Sequence, residues 1–213
     1  PNRMPRKSSM RRFSASCTRP SVSTIFDGTN RFMHDQTIAW SACAKNLFVW
    51  DYAITYTKDS TGYPFPSEFY IGEKYAYYAT NGVHGIFLEH ESPDTQDIFD
   101  IKYYLETKLM EDPFQDNAKI LDRAMREFYG VAAPQVKEAR RLLDRLRKER
   151  KAFIGWTPEL GEFDFIHQDD IAKMLASYDR AEKAVAGDTV LLYHSSHGGP
   201  DDVCAYDAAY DKS

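Results

Sequence analysis

Cysteine is scarce, with three in 213 residues (Cys17, Cys43 and Cys204), at spacings that match no disulfide framework and no zinc ribbon or finger. Long apolar runs are missing too. Nothing approaches the roughly 20 residues of a membrane-spanning helix, and the mean hydropathy is -0.56, so no membrane partner is expected. An excess of positive charge is also lacking: the formal net charge is -5, which argues against a nucleic-acid partner. The charged residues of the opening stretch (Arg3, Arg6, Lys7, Arg11 and Arg12) are nevertheless all basic. Without interleaved aromatics they read as a solvated terminus. That stretch contains no apolar segment of the secretory-leader kind. What the chain does have is 43% hydrophobic residues, 28% charged and 14% aromatic, enough for one sizeable core.

Patterning divides the chain into four stretches. Residues 1–30, rich in Arg, Ser, Pro and Thr, are expected to be poorly ordered or incomplete, with one short strand near 10–16. Phe32, Ala39, Trp40 and Cys43 predict a helix over 31–44 with an apolar stripe. Leu47 to Asp51 and Val83 to Glu89 are apolar runs that each end in an acid, as strands buried on both faces do in parallel sheets. A Tyr-rich helix is predicted over 67–80, closed by Asn81-Gly82, and another over 96–110. Strand, helix, strand, helix is the grammar of a parallel α/β fold over 31–111. Only helices are expected over 112–187: one opened by Asp112-Pro113, one from Pro134, and one over 169–186. Residues 188–213 are expected to form a loosely ordered tail.

Four blocks in order resemble a known family. They are Trp50-Asp51-Tyr52, Asn81 to Phe87, Leu105 to Pro113, and Phe128 to Pro134. The family is domain of unknown function 4838, grouped with glycoside hydrolases and related to alpha-glucuronidase-type barrels, and the resemblance spans about Trp40 to Asp188. It implies an α/β fold consisting of the last strands of a (β/α)8 TIM-type barrel, followed by an all-α extension. The upstream half of that barrel, in the same protein, is then an expected partner.

In such a barrel, catalytic groups stand at the C-terminal ends of strands. Asp51 and Glu89 both close strands, and glycoside hydrolysis needs two carboxyl groups whose separation sets the stereochemistry. Both acids are therefore expected at one rim, facing the barrel axis, as catalytic candidates. The plainer alternative is that each caps a helix or forms a turn. The resemblance implies an inverting mechanism with its general acid on an earlier strand, which would leave Asp51 and Glu89 on the base side. Trp50, Tyr52, His90 and Glu91 are candidate substrate-binding residues, and Tyr56, Tyr63 and Phe65 could extend an aromatic wall against sugar C–H faces. Packing is the plainer reading of those aromatics and of Tyr75, Tyr77 and Tyr78.

His194, His197, Asp201 and Cys204 meet no metal-ligand spacing. Gly198-Gly199 lacks the strand, helix and lysine of a phosphate loop. No metal and no cofactor is expected. The charge run from Lys137 to Lys151 reads as the solvated side of an amphipathic helix. The function that the resemblance implies is hydrolysis of a glycan, with uronic-acid-bearing glycans among the candidates, by carboxylate acid/base catalysis. The alternatives are a non-catalytic carbohydrate-binding module and an interaction surface on the helices of 134–186.

Overall fold

The structure is a computed structural model that describes residues 12–14, 25–26, 28–52, 63–89, 97–155 and 159–186. Three parallel strands, β1 (Arg12–Ser14), β2 (Leu47–Tyr52) and β3 (Val83–Glu89), form a sheet in the order β1-β2-β3. Helices α1 (Arg31–Ser41) and α2 (Ile71–Thr80) precede β2 and β3, and α3 (Phe99–Glu111) follows. The remaining helices are α4 (Asn117–Tyr129), α5 (Ala133–Glu149) and α6 (Gln168–Ala184).

The expected partial TIM-type barrel is not what forms. Among the described residues the sheet stays open at three strands, and helices account for most of those residues. After β3 the sequence turns to 3.6-residue apolar periods, and no further strand joins the sheet in the described residues. None of the described helices is long and apolar enough to cross a membrane.

Local chemistry explains several element ends. Gly82 takes a φ of 74° after α2, a conformation that glycine adopts without a Cβ clash. Asp116, not Asp112, caps α4: its carboxylate accepts from the backbone N–H groups of Ala118 and Lys119 at 3.0 and 3.2 Å. Asp112 instead accepts from the N–H of Phe114 at 3.1 Å, an Asx turn just past α3. At the start of α6, Asp170 accepts from the N–H of His167 at 3.1 Å. The stripe of α1 also differs from expectation. Met33 and Thr37 are buried, while Phe32 is exposed; the buried Thr37 hydroxyl is satisfied by donating to the Met33 carbonyl at 2.9 Å.

Three apolar clusters fill the interior. Val49 of β2 meets Ile71, Tyr75 and Tyr78 of α2 and Leu105 and Leu109 of α3. Ile101 of α3 joins Leu121, Ala124 and Met125 of α4 to Val136 of α5 and Ala181 of α6. Tyr70, Leu143, Leu146, Ile154 and Phe163 form the third. The Tyr-rich helix is therefore core: Tyr75, Tyr77 and Tyr78 are all buried. Burial pushes the Tyr75 and Tyr70 hydroxyls well above the usual phenol range, with nearby carboxylates adding to the effect at Tyr75.

A buried ionic knot joins the sheet-bearing part to the helices. The Arg140 guanidinium on α5 donates to both Glu68 oxygens at 2.7 and 3.1 Å, and to both Asp97 oxygens at 2.6 and 2.8 Å. Lys102 adds a bond to Asp97 at 3.0 Å, and the Phe65 N–H another at 2.8 Å. Arg140, Glu68 and Lys102 are each at most 2% exposed. Burial alone would raise the Asp97 carboxyl, but the charges of Arg140 and Lys102 overcome it and hold that group at about 2. The charge run of α5 is thus not simply a solvated side, since Arg140, Asp144 and Arg147 are buried.

Candidate functional site

The C-terminal ends of β2 and β3 present the candidate site. Alternation along β2 sends Leu47, Val49 and Asp51 toward the helix-covered side, and Phe48, Trp50 and Tyr52 to the other. Across the strand pair, Trp50 stands beside Phe87 and Tyr52 beside Glu89, so these four share the second face. Phe48, Trp50 and Phe87 are exposed there. The Phe48 ring lies over Gly85, where an added Cβ would come within 3.0 Å of its Cδ1. A side chain at Gly85 would displace that ring.

Trp50 is held in place from two sides. Its indole N–H donates to Glu89 Oε2 at 2.7 Å, and its ring meets Phe87 edge-on with centroids 5.0 Å apart at 73°. The result is an aromatic platform with a carboxylate at its end. Tyr52 completes the edge, its hydroxyl pushed up by burial and by the charges of Glu89 and Asp51.

The two strand-ending acids do not form a pair. Asp51 neighbours Leu88 on the helix side, where it contacts Lys74 Nζ of α2 at 2.6 Å and accepts from the Tyr52 N–H at 2.9 Å. Glu89 lies on the aromatic side. The cause is a register shift: Leu47 pairs with Val83, yet Phe48 pairs with Gly85, so β3 carries one extra residue, His84. Because side chains alternate with a period of two, one extra residue moves everything beyond it to the opposite face. Asp51 is thereby placed beside Lys74 on the helix side and not next to Glu89.

Other expected members sit elsewhere. Tyr63 packs edge-on against Phe163 at 5.0 Å, and Phe65 is buried beneath the Lys102 ammonium, 5.6 Å from its ring centroid. Both belong to the core and not to an aromatic wall. His90, Glu91 and Tyr56 lie outside the described residues, as do His194, His197, Asp201 and Cys204 and the expected 188–213 tail. Among the described residues no group of three or more His, Cys, Asp or Glu is arranged to hold a metal. The sequence reading missed Phe48 and Phe87 as surface residues, because a continuous apolar run conceals which side is covered.

A family model described as Domain of unknown function (DUF4838) matches residues 17–140, more than half of the chain, and the chain belongs to that family. The matched span ends at Arg140, inside α5, short of the Asp188 limit drawn from the sequence blocks. No curated protein and no solved structure matches the chain.

Proposed function

We propose that this chain recognises a glycan on the aromatic face of its sheet, with Trp50 as the stacking platform and Glu89 as the polar contact. One observation carries this reading: an exposed indole, fixed by a 2.7 Å bond to Glu89 and by the Phe87 edge, stands at the C-terminal ends of parallel strands. A pre-oriented aromatic ring offers its face to sugar C–H groups at little entropic cost. A carboxylate beside it accepts hydrogen bonds from hydroxyls on the same sugar.

Hydrolysis of that glycan, as in the glycoside hydrolase-like relationship inferred from the sequence, is the second reading. The position of Glu89 beside the platform favours it. Its partner carboxyl would then come from somewhere other than Asp51, which is held by Lys74 on the opposite side.

Titration of the protein with a panel of neutral and uronic-acid-bearing oligosaccharides, followed by tryptophan fluorescence and calorimetry, tests the binding. Saturable binding is expected, and Trp50→Ala should weaken it by at least about 10-fold, or 1.4 kcal/mol. An affinity unchanged in Trp50→Ala, or no saturation by any oligosaccharide, would refute the reading. If hydrolysis accompanies binding, Glu89→Gln should lower turnover by on the order of 100-fold with binding retained.

A further inference from the structure

The cleft between α4 and α5, remote in sequence from the sheet, has the composition of an anion site. It measures about 400 Å³ and is lined by Asp122 and Arg126 of α4, by Lys137 and Arg141 of α5, and by Gly130 between the helices. Its apolar lining is Met125, Val131, Ala133 and Pro134. Each helix contributes a charged pair four residues apart, the spacing that puts two side chains on one helical face. Asp122 and Lys137 bond across the cleft and neutralise one another. Arg126 and Arg141 are exposed and have no carboxylate partner among the described residues. Two guanidinium groups therefore line one small cleft uncompensated, in a chain whose net charge is -5.

We propose that this cleft binds a small organic phosphate monoester. The charge surplus of the lining is two, which a phosphate dianion cancels and a single carboxylate or sulfate ester does not. Guanidinium forks match phosphate oxygens in bidentate geometry. The apolar lining, absent from a purely electrostatic patch, accepts the organic part of the ligand. Gly130 lets the two helices meet this way: its φ is 50°, and a Cβ built there would project into open space. No histidine lines the cleft, so between pH 5 and pH 7.5 the titrating group is the phosphate itself, whose second ionisation falls near 6.

The test uses the full chain, 15N-labelled, titrated with phenyl phosphate and with inorganic phosphate at constant ionic strength. Saturable amide shifts confined to residues 122–141 are expected at pH 7.5. Phenyl phosphate should bind several-fold more tightly than inorganic phosphate, and binding at pH 5 should be about 10-fold weaker. The double variant Arg126→Ala/Arg141→Ala should lose at least 10-fold in affinity. Both side chains are exposed, so its circular dichroism and unfolding midpoint should remain those of the parent. Equal affinity in the double variant, equal binding of the two phosphates, indifference to pH, or shifts reproduced by sodium chloride would each overturn the proposal.

Discussion

Replacing Arg140 with Met is expected to destabilise the protein by about 3 to 5 kcal/mol. The size follows from what is left behind. Glu68 and Asp97 would stay in the interior without the guanidinium that gives each carboxylate two hydrogen bonds. An uncompensated buried charge costs far more than the intact pair contributes, because desolvation has already been incurred and the Coulombic return is gone. Arg140→Lys should recover only part of the loss, since an ammonium cannot present a planar fork to two carboxylates at once. Adding Glu68→Gln to Arg140→Met should restore some stability by removing one stranded charge. Urea denaturation of the four proteins checks this. A loss below about 1 kcal/mol for Arg140→Met would mean that the knot is incidental.

Acid should weaken the protein through the same knot. The Asp97 carboxyl sits at about 2 in the folded protein, against about 3.9 for an unperturbed aspartate. A group whose folded value is depressed contributes stability that is complete above its unfolded value and disappears as pH falls through the folded one. From about pH 5 down to pH 2, stability should therefore fall by roughly 2 kcal/mol through this residue alone. Asp97→Asn should be less stable at pH 7 and show a flatter dependence across that window. The readout is the urea midpoint measured at half-unit pH steps. An unchanged slope in Asp97→Asn would place the acid sensitivity elsewhere.

Legibility in the sequence followed the strength of local rules. The strands Leu47–Tyr52 and Val83–Glu89 are visible as short apolar runs each ending in an acid, and the helices of the second half as repeating apolar periods punctuated by Gly, Asp or Pro. Sheet size is a different matter, since an open three-stranded sheet and a slice of a barrel share the same strand-helix alternation. The candidate site turned on one residue. Without His84 as an extra residue, Asp51 and Glu89 would share a face; with it they are divided between opposite faces. No propensity marks that bulge. Arg140 is legible in the sequence as buried, because it follows Val136 by four residues and precedes Leu143 by three, which puts it on the buried stripe of α5. A charge on an apolar stripe is a sign of a buried partner, and here that partner is Glu68, 72 residues earlier.

The buried tyrosines make the interior a reporter of its own integrity. Tyr70 and Tyr75 are shielded from ionisation, and burial pushes the Tyr129 hydroxyl to about 12. In a spectrophotometric alkaline titration, exposed phenols respond near pH 10, whereas these three remain spectrally silent while the core persists. Because their folded values are raised, stability is undiminished below about pH 10 and erodes above it, so phenolate absorbance should arrive in two waves. The first wave counts solvent-facing rings. The second is the collapse of the fold itself, recorded in the ultraviolet by residues already built into it.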